Sequence, residues 1–291
     1  MALIKNVFID LDDTILDFHK AEAVAVRKAL SEIGIEPTEN IVVRYSMINA
    51  MQWRLLEDGL ITREQVLVDR FRVLLSELFQ VALSEEGADA AAPISSSADG
   101  TIGKAEAISN MVEDISNNAN MAHTQIPNNI DHISEMALKI RNRYEVLLSQ
   151  GHYFIEGAPE LLETLYGKYD LYLASNGTAI VQDSRIASAG ISKYFKEIFI
   201  SERVGCDKPQ VGFFEYCFDR ISGTDGVTDF KKEETIIIGD SLSSDIMGGN
   251  NAGIYTCWFN PKGKERTDEV AIDFEVSELS EIPSLLEKCG I

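Results

Sequence analysis

Three carboxylates crowd into "DLDDT", at Asp10, Asp12 and Asp13, directly behind the apolar run Val7, Phe8, Ile9. Three more polar signals follow apolar runs in the same way: Ser175-Asn176-Gly177 behind "LYLA", Lys208 in the segment behind "EIFIS", and Asp240 with Asp245 behind "TIIIG". Each alone has an ordinary explanation, as a helix cap, a turn or a surface loop. Four of them, each behind its own strand-like run, place one set of groups along one edge of a sheet. That is the edge where parallel α/β sheets bind their ligands.

The chemistry open to such a set is phosphoryl transfer through a covalent aspartyl phosphate. Asp10 stands as the nucleophile. A carboxylate approaching a phosphate dianion is repelled, so a divalent cation is needed, and Mg2+ suits an all-oxygen donor set. Asp10 and Asp240 are expected to supply carboxylates and Asp12 its main-chain carbonyl, with Asp245 and Thr14 supporting them from behind. The Asp12 side chain can protonate a leaving oxygen and then deprotonate the water that cleaves the intermediate. The Ser175 hydroxyl, the turn amides around Asn176 and the Lys208 ammonium would hold the remaining phosphate oxygens.

What must position these groups is a repeated strand and helix. Apolar, β-rich runs occur at 3–9, 170–174, 197–201, 235–239 and 254–259. Helical patterns lie between them at 158–165, 179–189 and 209–221. The alternation predicts a Rossmann-like, doubly wound parallel sheet of the α/β class.

From about Phe18 to Gly151 the alternation stops, and helical periods run over 22–33, 41–57, 62–79 and 131–149, the third opening on a Thr62/Gln65 capping box. The expected organisation is a core of 1–17 and 151–291, with an all-helical cap domain over 18–150. Between Gln80 and Arg143 there is no Phe, Tyr or Trp, so a flexible insert is expected at about 82–128, a loop over 87–103 followed by a helical stripe over 104–122.

Composition narrows the partners. The 291 residues, 45% hydrophobic and 25% charged, can bury a real core. No apolar run is long enough to span a bilayer, and the first is cut at Asp10 before a signal peptide could form, so a cytoplasmic protein with no membrane partner is expected. A formal charge of −21 disfavours a nucleic-acid partner and points to a small phosphomonoester met by local positive charge. Four cysteines without CxxC spacing suggest neither a disulfide frame nor a zinc site.

In order and spacing, DLDDT, SNG, Lys208-Pro209 and "GDSLSSD" resemble the haloacid dehalogenase (HAD) superfamily, and an insert after the first motif resembles its C1 helical cap type. "QGHYFIEGAPELL" and "GDSLSSDIMGGNNAGIYTCWFNP" resemble the bacterial pyrimidine 5′-nucleotidases, which implies hydrolysis of nucleoside 5′-monophosphates. A sugar-phosphate phosphatase, a phosphomutase of the same superfamily, and an inactive scaffold that binds a protein partner stand as alternatives. Within the second stretch, Trp258 reads as a strand end, and Gly248, Gly249 and Gly253 as helix exit and strand entry.

Overall fold

A computed structural model describes residues 3–86, 130–223, 230–266 and 270–288. The chain forms two compact units, Met1–Glu22 with Leu148–Ile291, and Ala23–Leu147. The loop expected over 87–103 and the stripe over 104–122 lie outside the described residues.

The first unit is built on one six-stranded sheet: β1 (Asn6–Ile9), β2 (Asp170–Ser175), β3 (Glu197–Ile200), β4 (Thr235–Gly239), β5 (Tyr255–Phe259) and β6 (Phe274–Val276). Its order is β3-β2-β1-β4-β5-β6, parallel throughout. Both faces are buried, which is why β1 reads as an unbroken apolar run rather than an alternation. Val7, Ile9, Leu171, Leu173, Ile236 and Ile238 belong to one core cluster, with Leu162 of α5 (Ala158–Leu165) and Ile186 of α6 (Ala179–Ala189). Phe8, Tyr172 and Ile237 belong to the other, with Phe213 and Phe214 of α8 (Val211–Ser222). There Phe8 stacks on Tyr172 with ring centroids 5.1 Å apart and meets Phe214 edge-on at 5.9 Å, geometries that favour aromatic pairs beyond their buried area.

Strand β6 was not foreseen. Its three residues carry Glu275 at the centre, so it has no apolar run to read, and pairing with β5 makes it a strand. The reading of Gly248 and Gly249 as a helix exit is also corrected: both lie inside α9 (Met247–Ala252). A Cβ on Gly248 would come within 2.9 Å of the Phe214 ring, and one on Gly249 within 2.7 Å of Ile237 and Thr256. These glycines let the helix lie close on its neighbours; the exit is Gly253, at φ 73°.

The second unit is helical. It contains α2 (Glu39–Glu57), α3 (Arg63–Glu86) and α4 (Ile130–Leu148), while α1 (Phe18–Glu32) starts in the first unit and continues into it. Tyr45, Phe71 and Tyr144 pack their rings at centroid distances of 5.0–5.6 Å. The capping box before α3 is formed, with Gln65 N donating to Thr62 Oγ1 at 3.3 Å and Thr62 N donating to Gln65 Oε1 at 2.8 Å. Among the described residues no helix is long and apolar enough to cross a membrane.

Within the first unit, the two segments that lead into and out of the helices pair with each other. Leu16 bridges Phe154 antiparallel, Asp17 N donates to Tyr153 O at 2.8 Å, and Ile155 N donates to Ile15 O at 3.0 Å.

Candidate active site

In register, Ile9 of β1 lies between Leu173 of β2 and Ile238 of β4. Asp10 N still donates to Ile238 O at 2.9 Å. Its side chain therefore leaves the sheet at the carboxyl rim, beside the residues that follow β2 and β4. Carboxylate oxygens of Asp10, Asp240 and Asp245 all lie within 4.8 Å of one another.

Lys208 joins this group from the segment after β3. Its Nζ donates to Asp10 Oδ1 and Asp245 Oδ1, each at 2.7 Å, and to Ala174 O at 2.6 Å, and the side chain is 1% exposed. Burial alone would lower the pKa of this ammonium, but Asp10 and Asp245 reverse the effect and hold it raised. Burial pushes the Asp10 carboxyl well above the usual range against the pull of Lys208, and the charges of Asp245 and Asp12 push it further. Asp240 is raised to about 6, by burial first and then by Asp245 and Asp13. Three carboxyl groups therefore gather around one buried ammonium.

Asp245 does more than support its neighbours. Its Oδ2 accepts from Ser241 N at 3.1 Å, and a Cβ on Gly239 would fall 2.2 Å from that oxygen. The glycine that ends β4 leaves the space in which Asp245 turns back to meet Lys208. The intervening Leu242–Ile246 is a π-helical turn, a geometry frequent at functional sites.

Asn176 holds the main chain of Lys208 at both ends. Its Oδ1 accepts from Lys208 N and its Nδ2 donates to Lys208 O, both at 2.9 Å. Its side-chain amide is thereby engaged in placing the lysine. Ser175 is fully buried, and its Oγ accepts from Gln182 Nε2 at 2.8 Å. The Thr14 hydroxyl is buried with no hydrogen-bond partner, so it makes no hydrogen bond to Asp10 or Asp240.

The third carboxylate of DLDDT is structural. Asp13 adopts φ 58°, a left-handed conformation that Asp tolerates better than most residues, and its Oδ1 accepts from Phe18 N at 2.9 Å and His19 N at 3.3 Å to cap α1. Burial and the neighbouring Asp12 raise its pKa to about 6.

Sequence reasoning missed three contributors. Trp258 Nε1 donates to the Asp240 carbonyl at 2.9 Å, so a residue read as a strand end fixes the backbone of a site residue. Gln182 and Arg185 of α6 hold the two carboxylate oxygens of Asp12, at 2.7 Å from Gln182 Nε2 to Oδ2 and through an Arg185 ion pair to Oδ1. Their signal was two polar residues three apart on a helical face that also carries the buried Ile186.

The donor set fits a hard divalent cation. Asp10, Asp240 and Asp245 offer only oxygen, as Mg2+ prefers, and a cation among them would favour the ionised form of carboxyls that burial and one another's charge push toward the neutral form.

The sequence profile of the haloacid dehalogenase-like hydrolases matches residues 4–253. The HAD-hydrolase YfnB of Bacillus subtilis is 32% identical over 98% of this chain and 97% of its own. The pyrimidine 5′-nucleotidase PynA of Streptococcus pneumoniae is 30% identical over 98% of this chain and 95% of its own. A crystal structure of YfnB bound to magnesium superimposes with a TM-score of 0.71 at 32% identity, covering 97% of this chain and 98% of that one. The profile match over residues 4–253 places the chain in the haloacid dehalogenase-like hydrolase family.

Proposed function

We propose that the chain is a Mg2+-dependent phosphatase that hydrolyses small phosphomonoesters, foremost nucleoside 5′-monophosphates, through an aspartyl phosphate on Asp10. The observation that carries this reading is the meeting of Asp10, Asp240 and Asp245 within 4.8 Å, with Lys208 between Asp10 and Asp245. Asp10, Asp240 and the main-chain carbonyl of Asp12 would hold Mg2+. When bound, the ion supplies the positive charge that lets a carboxylate approach a phosphate.

The chain's own residues supply the rest. An Asp10 oxygen attacks phosphorus, the bond from phosphorus to the ester oxygen breaks, and Asp12 gives that oxygen its proton. Asp12 then takes a proton from water, the water oxygen attacks phosphorus, and the bond to Asp10 breaks to release inorganic phosphate. Lys208, the Ser175 hydroxyl and the turn amides after β2 meet the phosphate oxygens, with Lys208 held in place by Asp245 and Asn176.

The name of PynA supports the nucleotide preference. A panel of uridine, deoxyuridine and thymidine 5′-monophosphates beside hexose phosphates, with Mg2+ and with chelator, tests it. Pyrimidine monophosphates should rank high, and Asp10→Asn should lose at least about 10³-fold in phosphate release. Preference for hexose phosphates would remove the nucleotide assignment. Phosphoryl transfer to a second sugar hydroxyl would reveal a mutase, and an Asp10→Asn protein as active as wild type would overturn the chemistry.

A further inference from the structure

Asp12 is gripped by two residues to which the proposed chemistry gives no task. Its side chain is 24% exposed, yet Arg185, which pairs with it, is 0% exposed. The buried partner is the anchored one. Arg185 Nε donates to Gly151 O at 3.0 Å, Nη1 donates to Gln182 Oε1 at 3.0 Å, and the guanidinium carbon lies 5.7 Å from the centre of the Phe18 ring. Gln182 Nε2 in turn lies 2.7 Å from Asp12 Oδ2 and 2.8 Å from Ser175 Oγ.

A surface ion pair would show two flexible ends, and a purely structural buried pair would show two hidden ones. Here a rigid, planar cation fixed on three sides presents a carboxylate that remains open to solvent. Arg185 Nη1 pairs with Asp12 Oδ1 while Gln182 Nε2 holds Oδ2, so the two residues together fix the plane of the carboxylate.

Two of the anchors have a particular place in the chain. Phe18 and Gly151 lie on the two segments that connect the first unit to the helical insertion, and these segments approach so closely that a Cβ on Gly151 would fall 2.8 Å from the Ala21 Cβ.

Resting on the phosphatase reading, we propose that Arg185, with Gln182, is the positioning residue that sets the Asp12 carboxylate for its acid and base steps, and that it keys this geometry to the two connecting segments at Phe18 and Gly151.

The test exploits leaving groups. p-Nitrophenolate departs readily without a proton, whereas an alkoxide does not, so a fault confined to Asp12 falls mainly on alkyl phosphates. For Arg185→Gln, kcat/KM should fall about 10- to 100-fold on the alkyl phosphate that wild type hydrolyses best and less than about 3-fold on p-nitrophenyl phosphate, as befits partial loss of a general acid. Arg185→Lys should recover part of the alkyl rate. If thermal melting shows that Arg185→Gln does not fold, the ratio of the two substrates in Arg185→Lys decides instead. Equal losses on both substrates would overturn the positioning role while leaving the phosphatase reading intact. A wild-type chain that hydrolyses neither substrate with Mg2+ would overturn both.

Discussion

At the amino ends of the strands, Lys5 pairs with Glu234 at 2.7 Å and Lys196 with Asp170 at 2.6 Å, each lysine more than half exposed. At the carboxyl ends of the same sheet, Asp10 and Asp245 share the buried ammonium of Lys208, while among the described residues Asp240 pairs with an exposed Lys264 at 3.4 Å. The strands are the same and so is the backbone register. The difference lies in what each rim does with charge. One rim pairs its charges in water, where a pair adds about 0–1 kcal/mol. The other crowds carboxylates in a desolvated pocket, a local conflict that a sequence selected for stability alone would remove.

Removing one lysine from each rim separates the two cases most sharply. Lys208→Met leaves two buried carboxylates without their cation and should cost about 3–5 kcal/mol, as breaking a buried ion pair does. Lys196→Met at the opposite rim should cost less than about 1 kcal/mol. Denaturant unfolding in chelator reads both, since bound Mg2+ would mask part of the Lys208 loss. Similar costs at the two rims would mean that the carboxyl edge is an ordinary salt-bridge network.

Much of this contrast was legible in the sequence. An acidic or basic residue behind an apolar run marks a strand's carboxyl end, and a parallel sheet brings all such ends to one rim; Asp10, Lys208, Asp240 and Asp245 meet for that reason. Asp13 was less legible because a capping carboxylate and a catalytic one look alike until the helix start is known, and α1 begins at Phe18 rather than at Glu22. The tasks of Asn176 and Trp258 depend on where a main-chain carbonyl points, which no residue pattern records. Arg185 reaches Asp12 across 173 positions of chain, and its partner Gly151 becomes a neighbour only when the insertion's two ends are drawn together. Strand β6 depends on β5 for its identity.

A smaller perturbation tests how tightly the carboxyl rim is built. Gly239→Ala places a methyl where Asp245 Oδ2 now lies, so Asp245 must move and Lys208 loses one of its two carboxylates. The expected cost is about 1–3 kcal/mol, the usual range for overpacking a filled site, and the proposed phosphatase chemistry predicts slower phosphate release as well. Chemical denaturation and phosphate release measured on the same preparation check it. Full activity would mean that Asp245 can serve from another position.

The mildest probe is pH. Asp240 and Asp13 hold their protons up to about pH 6 in the folded chain, against about 3.9 for a free aspartate. Between those values the folded state binds more protons than the unfolded one, so stability falls as pH rises through that window. In chelator, the melting temperature should therefore be higher at pH 5 than at pH 7, by roughly 2–4 °C for a chain of this size. Mg2+ should narrow the gap, because it favours the ionised carboxylates. The overall charge of −21 also shrinks on acidification and would stabilise the fold on its own. Asp240→Asn separates the causes. It removes one raised carboxyl and changes the net charge by a single unit, so the gain at pH 5 should shrink but not vanish if the rim produces it, because Asp10 and Asp13 remain raised. An undiminished gain would assign the effect to the whole surface and remove the electrostatic distinction between the two rims.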